Sequence, residues 1–121
     1  VKNSSIDIPN TDNVKWLGYL SDGEIKSLYK HCRAFIFPSI HEGFGIPPME
    51  ALSQGAEIII ANTTCLPEIY GNSAHYIDPY DINVDVEKLL KKDVGSKKLV
   101  LNKYSWKKSA EILKELIYKY N

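Results

Sequence analysis

The sequence comprises 121 residues, of which 44% are hydrophobic and 25% are charged, the composition of an ordinary soluble globular domain. Fifteen basic and fifteen acidic residues give a formal net charge of zero, which argues against a nucleic-acid or anionic-membrane surface because such surfaces need a basic excess. The two cysteines have no metal or redox spacing, and no apolar run approaches the roughly 20 residues of a membrane span. We therefore expect a cytoplasmic protein with reduced thiols.

The first third of the chain predicts two strands separated by a helix. Residues 1–13 are polar and predict a loop, and a short strand is expected over residues 14–17. Ser21 and Glu24 have the spacing of a capping box, which together with apolar residues at helical spacing predicts a helix over residues 22–31. The apolar run 34–37 is typical of a buried strand.

A glycine loop follows that second strand and leads into a helix. Gly43 and Gly45 lie in the loop, and Pro47 precedes a run of helix formers that ends at Gly55, so we expect a helix of about two turns. Such a loop brings backbone N–H groups and the positive end of a helix dipole to one point, where an anion can bind. Glu42 lies at the mouth of the loop.

The rest of the chain alternates strands with helices. Strands are expected over residues 57–61 and 74–77, and helical segments over 66–70, 84–91 and 97–102. Ser105 is the expected cap of a last helix. We predict that Trp106 of this helix packs in the core. The helix is expected to carry one apolar stripe: Trp106, Ala110, Leu113, Ile117 and Tyr120. This alternation predicts an α/β fold with a Rossmann-like parallel sheet and flanking helices, whose ligands bind at the carboxyl ends of the strands.

The segment from Glu42 to Glu50, with Phe-Gly-Ile-Pro between the two glutamates, resembles the signature of retaining family 4 glycosyltransferases. These are two-domain enzymes of the GT-B fold whose C-terminal domain binds a nucleotide-sugar donor. Four further segments resemble motifs of that domain in the same order: residues 14–20 (VKWLGYL), Pro38-Ser39, Leu66-Pro67-Glu68 and Ser105-Trp106. The resemblance covers residues 13–120.

The resemblance implies a role for each residue of the motif. Glu42 would be the catalytic residue that faces the donor sugar, and Glu50 would accept hydrogen bonds from the ribose hydroxyls of the nucleotide. Further donor contacts are expected from loop amides and rim residues: Gly43, Phe44, Gly45, Ile46, Ser39, Thr64 and Leu66. Weaker rim candidates are His41, Asn62, Thr63 and Glu68. No metal or other cofactor is expected, since the three histidines lack ligand spacing.

The intact enzyme implied by the resemblance transfers a hexose from a UDP- or GDP-hexose to a glycan or lipid acceptor, with retention of configuration. The segment FGIPPMEAL looks like that of mannosyl- or glucosyltransferases of bacterial polysaccharide assembly. Such an enzyme is cytoplasmic or peripheral to the membrane, and nucleic acid is not expected as a partner.

The chain also departs from the family pattern. Its predicted strands correspond to the third to sixth strands of the family's C-terminal domain, so residues 1–121 are expected to be a part of that domain. The Arg and Lys that contact the donor diphosphate in the family have no counterpart here, nor does the N-terminal acceptor domain, and we expect the isolated chain to be inactive. We further expect segment 14–17 to pair with segment 34–37, or an exposed sheet edge to form a homodimer.

Two other interpretations compete with this one. The chain could be a non-catalytic nucleotide-binding or assembly module. It could also be a hydrolase with Glu42 and Glu50 as its carboxylate pair, which requires a separation of about 5–10 Å. The glycine loop suits phosphate better than a bare sugar and disfavours the hydrolase.

Overall fold

The computed structural model describes residues 11–120, which form a three-stranded parallel sheet flanked by helices. Residues 1–10, which carry most of the expected N-terminal loop, lie outside the described residues. The strands are β1 (Phe35–Phe37), β2 (Ile58–Ala61) and β3 (His75–Ile77), and they lie in the order β1-β2-β3. Ile36 lies opposite Ile59, and Ile60 lies opposite Tyr76. The predicted α/β class with a parallel sheet is confirmed.

Every helix expected from the sequence is present, with bounds that differ from the prediction by no more than about one or two residues. They are α1 (Asp22–His31), α2 (Ile46–Ser53), α3 (Leu66–Tyr70), α4 (Val86–Leu90), α5 (Lys97–Lys103) and α6 (Trp106–Tyr120), with a 3₁₀ turn (Gly71–Ser73) after α3. The capping box of α1 forms as predicted. The Ser21 amide donates to the Glu24 carboxylate over 2.8 Å, and the Glu24 amide donates to Ser21 Oγ over 3.4 Å.

The hydrophobic core surrounds β2, whose four residues are all buried. Ile58 and Ile60 pack with Leu52 of α2 and with Leu66 and Tyr70 of α3 into one apolar cluster. A strand that is covered on both faces has a continuous apolar run, which is why Ile58–Ala61 was recognisable in the sequence. This packing fixes the loops that follow β1 and β2 beside each other.

The predicted strand over residues 14–17 is wrong. Val14 forms only an isolated antiparallel bridge with Thr11, in a turn closed by a 3.1 Å hydrogen bond from the Val14 amide to the Thr11 carbonyl. Trp16 is 69% exposed and Leu17 is 52% exposed. Within residues 11–120 no strand lies beside this segment, and a strand cannot pair its backbone groups without a neighbour. The expected pairing with β1 is therefore also wrong, and the described sheet has three strands.

Helix α6 is amphipathic but lies outside the core. None of its residues is buried, and Trp106 is 84% exposed, so the predicted core packing of this tryptophan is wrong. A helical period identifies an apolar face but not the element that covers it, and no element among the described residues buries this face. Within the described part of the chain, no helix has the length and apolar character needed to cross a membrane.

Candidate functional site

Two loops meet at the carboxyl edge of the sheet. One follows β1 and spans residues 38–45, and the other follows β2 and spans residues 62–65. Because β1 and β2 are parallel neighbours, both loops leave the sheet at the same edge. The Thr63 hydroxyl donates to the Ser39 carbonyl oxygen over 3.4 Å and joins them. The sequence prediction that these segments share one place is confirmed.

Glu42 is half-buried and is held at three of its polar groups. Its carboxylate Oε1 accepts a 2.7 Å hydrogen bond from Ser39 Oγ, and its amide donates to Thr64 Oγ1 over 3.3 Å. Its carbonyl oxygen lies 3.2 Å from Cys65 Sγ, which donates to it. The second loop therefore contributes two of the three contacts, so the conformation of Glu42 depends on both loops.

Gly45 connects the first loop to α2 in a conformation that favours glycine. Its φ is +81°, and a Cβ atom at this position would lie 2.6 Å from Leu66 Cδ2. The Tyr70 hydroxyl donates to the Gly45 carbonyl oxygen over 2.5 Å. Both the left-handed backbone and the close approach of α3 thus require glycine here.

Leu66 does not lie where a donor contact was expected. Its side chain is 0% exposed and packs in the core beneath Gly45. The structure places this residue under the glycine loop rather than on the rim, because the first turn of α3 faces the sheet.

Four successive amides at the junction of the first loop and α2 have no protein acceptor in the described part of the chain. Within residues 11–120, the N–H groups of Gly43, Phe44, Gly45 and Ile46 donate to no other protein group. Pro47 and Pro48 follow in the first turn of α2 and have no N–H to offer. No acidic residue lies in that turn either, so its positive end is not offset by a carboxylate there. Of these four residues Gly43 and Ile46 are exposed, Phe44 is half-buried and Gly45 is buried, so the amides of Gly43 and Ile46 are the most accessible to an anion or a hydroxyl group.

Glu50 lies in the second turn of α2 and is exposed. It lines an open groove of about 600 Å³ between α2 and the segment that joins α5 to α6. Phe44 forms one wall of the groove and packs edge-to-face on Tyr104, with ring centroids 5.2 Å apart. The remaining lining residues are Ile46, Met49, Ser53, Leu101, Ser105, Trp106 and Ser109. Burial of Tyr29, which lies on α1, raises the pKa of its hydroxyl. The nearby charge of Glu50 raises this pKa further, to a lesser extent.

The structure thus divides the predicted site residues into two groups. Ser39, Glu42 and Thr64 form one hydrogen-bonded network, while Phe44, Ile46 and Glu50 line the groove, and the two glycines connect the groups. Among residues 11–120 there is no group of three or more His, Cys, Asp or Glu that could hold a metal ion.

Three residues at the site were missed by the sequence analysis: Cys65, Tyr70 and Tyr104. Tyr70 is fully buried, and burial raises the pKa of its hydroxyl far above the ordinary value, so the group stays a proton donor at neutral pH. A buried tyrosine hydroxyl usually finds a partner, so an apolar position filled by tyrosine was the available signal. Its partner could not be identified without the fold.

The parallel sheet, the glycine loop and the two carboxylates define a Rossmann-like α/β fold with a candidate ligand site at its carboxyl edge. Residues 1–108 match the family described as glycosyl transferases group 1. The chain belongs to this family.

Similar proteins include several bacterial mannosyltransferases. The serotype-specific mannosyltransferase WbdA of Escherichia coli is 41% identical over 75 residues, which cover 62% of this chain and 9% of WbdA. The O-antigen chain mannosyltransferase B of Escherichia coli is 40% identical over 70 residues, covering 58% of this chain and 18% of that protein. The O-antigen chain mannosyltransferase RfbU of Salmonella typhimurium is 38% identical over 76 residues, covering 63% of this chain and 22% of RfbU.

The chain therefore spans less than a quarter of the length of these relatives, between 9% and 22%. No solved structure matches it at a significant level.

Proposed function

We propose that residues 1–121 are part of the C-terminal, donor-binding domain of a retaining family 4 glycosyltransferase with the GT-B fold. The intact enzyme transfers a hexose from a UDP- or GDP-hexose to a glycan or lipid acceptor in polysaccharide assembly. Family membership supports glycosyl transfer, and the mannosyltransferase names of the relatives favour mannose as the hexose. The observation that carries the proposal is the set of four unbonded amides at Gly43–Ile46 beside the anchored Glu42.

The loop amides bind the donor diphosphate and sugar hydroxyls. As the glycosidic bond breaks, negative charge grows on the leaving phosphate oxygen, and the amides of Gly43 and Gly45 with the positive end of α2 stabilise it. Glu42 faces the donor sugar and stabilises the positive charge that develops on its ring. Glu50 accepts hydrogen bonds from the two ribose hydroxyls, for which its exposed carboxylate in the groove is available.

The acceptor binds to the N-terminal domain of the intact enzyme, so the isolated chain is inactive. No metal or other cofactor takes part, and nucleic acid is not a partner. The enzyme works in the cytoplasm or at the membrane surface. In the isolated chain, the outer edge of β1 carries no strand within residues 11–120, which supports pairing with a second copy through this edge.

The proposal is tested by kinetics and product analysis of the intact enzyme with GDP-mannose and UDP-glucose as donors. Glu42→Gln should lower kcat by about 10²- to 10³-fold, as expected for loss of a group that stabilises transition-state charge. Glu111→Gln, which changes an exposed carboxylate on α6, is the matched control and should leave kcat unchanged. The anomeric proton of the product should show retention. An inverted product, or a Glu42→Gln enzyme of normal activity, would contradict the proposal.

A further inference from the structure

Thr64 has a strained backbone at the tip of the second loop. Its φ is +51°, the only positive value at a non-glycine residue among residues 11–120. A β-branched residue in this left-handed region is a genuine outlier, and such strain persists where the surrounding structure demands it. The Thr64 side chain is exposed, so packing does not explain the conformation. In this conformation Thr64 Oγ1 accepts the hydrogen bond from the Glu42 amide over 3.3 Å.

Ser39 holds the side chain of Glu42, whose backbone amide is held by Thr64. The Ser39 hydroxyl lies 2.7 Å from Glu42 Oε1 and 3.4 Å from the His41 carbonyl oxygen. A hydroxyl has one proton to donate, and the shorter bond to the charged carboxylate is the stronger one. Ser39 is itself fixed two residues after β1, where its carbonyl accepts from Thr63. The position of Glu42 Oε1 therefore depends, through Ser39, on the position of β1.

Only one oxygen of the Glu42 carboxylate is engaged in this way. Within the described residues, Oε2 accepts no hydrogen bond from protein. A carboxylate that is held by one oxygen keeps the other for a ligand hydroxyl or for a developing positive charge.

We propose that Ser39 and Thr64 are positioning residues that fix the side chain and the backbone of Glu42 for contact with the donor sugar, and that neither binds the donor itself. The inference rests on the proposed function, because it takes Glu42 as the residue that faces the sugar. It also revises the role of both residues, which were expected to be donor ligands.

Three substitutions of Thr64 separate positioning from general stability. Thr64→Val keeps the shape and the strain but removes the acceptor oxygen, Thr64→Gly removes both the oxygen and the strain, and Thr64→Ser keeps the oxygen. Exchange of the Glu42 amide proton with solvent, followed by NMR, should become about 2- to 10-fold faster in the Val and Gly variants and stay unchanged in the Ser variant. The Gly variant should melt at a higher temperature than the Val variant, since glycine adopts positive φ without strain.

Ligand binding supplies the functional measurement. The ratio of the Kd for GDP to the Kd for GDP-mannose, and the same ratio for UDP and UDP-glucose, measures recognition of the sugar. For the nucleotide and nucleotide sugar that bind more tightly, we expect this Kd ratio to fall equally in Thr64→Val and Thr64→Gly. In both variants it should reach the value measured for Glu42→Ala. The Gly variant is expected to melt at the higher temperature. If it also has a larger Kd ratio than the Val variant, sugar recognition depends on general stability and the inference is overturned.

A double-mutant cycle tests Ser39. If Ser39 acts through Glu42, Ser39→Ala should lower sugar discrimination in the wild-type background and have no effect in Glu42→Ala. Equal losses in both backgrounds would show that Ser39 contacts the donor directly, which overturns the inference. If the wild-type chain binds none of the four ligands, the donor-binding role proposed for this chain fails. The amide exchange series still decides whether Thr64 holds Glu42, because unchanged exchange in Thr64→Val overturns that role without any ligand.

Discussion

The hydroxyl of Tyr70 donates a 2.5 Å hydrogen bond to the carbonyl oxygen of Gly45, and both residues are buried. This bond connects the end of α3 to the residue from which α2 begins. It therefore links the core to the junction of the first loop and α2, where four amides have no protein acceptor among residues 11–120.

Removal of that hydroxyl should destabilise the fold. Tyr70→Phe removes a buried hydrogen bond to the Gly45 carbonyl oxygen, which should cost about 0.5–1.5 kcal/mol. Tyr76→Phe is the matched control, because Tyr76 donates to the exposed carbonyl of Gly71 over 2.6 Å, and water can replace that partner. Urea denaturation followed by circular dichroism measures both free energies of unfolding. Equal losses in the two variants would contradict the importance of the Tyr70 bond.

A methyl group at Gly45 should be more damaging still. Gly45→Ala combines the left-handed backbone, which costs about 1–2 kcal/mol for a residue with a Cβ, with a contact of 2.6 Å to Leu66 Cδ2. Overpacking of this kind adds about 1–3 kcal/mol.

Two other glycines separate these contributions. Gly55 has a φ of +91°, but no atom lies within 4 Å of the position that an added Cβ would take, so Gly55→Ala should show the backbone cost alone. Gly43 has open space and no positive φ, so Gly43→Ala should leave the free energy of unfolding nearly unchanged. A Gly45→Ala variant as stable as Gly55→Ala would contradict the close approach of α3.

The stability of the fold should fall in alkaline solution. Burial raises the pKa of Tyr76 to about 12, and raises that of Tyr70 as well. A tyrosine whose pKa is higher in the folded state favours folding fully below its unfolded value of about 10, and this contribution is lost as the pH rises above that value. We therefore expect a free energy of unfolding that is constant up to about pH 10 and declines toward pH 12. Tyrosinate absorbance should rise in the same range.

Removal of one of these tyrosines should weaken the alkaline dependence. In Tyr70→Phe the decline above about pH 10 should be shallower than in the wild type. An identical decline in both proteins would show that Tyr70 does not titrate with unfolding.

Local patterns made much of the fold predictable. The capping box at Ser21 and Glu24 placed the start of α1 correctly, since both of its hydrogen bonds form within one turn. The isoleucine-rich segment at β2 was recognisable because a strand buried on both faces is continuously apolar. The glycines and prolines around Gly45 predicted α2 because those residues restrict the backbone directly.

Contacts between distant segments were not predictable in the same way. Trp106 and the segment 14–17 look apolar enough for burial, but burial depends on a covering element that the local sequence does not specify. The contacts of Thr64 and Cys65 with Glu42 span 22 and 23 residues, and only the parallel register of β1 and β2 brings them together. The grouping of the site at one sheet edge was predictable, whereas its internal hydrogen bonds were not.

The outer edge of β1, which pairs with no strand among residues 11–120, should mediate self-association of the isolated chain. Sedimentation velocity should show a species of twice the 13.7 kDa chain mass at high concentration. Ile36→Lys places a charge on this strand and should shift the equilibrium to monomer, while Ile36→Val should not. A wild-type chain that stays at 13.7 kDa at all concentrations would contradict pairing through this edge.

The central claim is that the loop before α2 and Glu50 form a nucleotide-sugar site, and an amide NMR titration of this chain tests it most directly. With UDP, GDP, ADP and their glucose or mannose conjugates, we expect shifts at Gly43, Gly45 and Glu50 for one nucleotide. Glu50→Ala should weaken binding by about 10- to 100-fold, the loss expected for hydrogen bonds to a charged group. Glu111→Gln should have no effect. Absence of any shift at millimolar ligand, or unchanged affinity in Glu50→Ala, would contradict the claim.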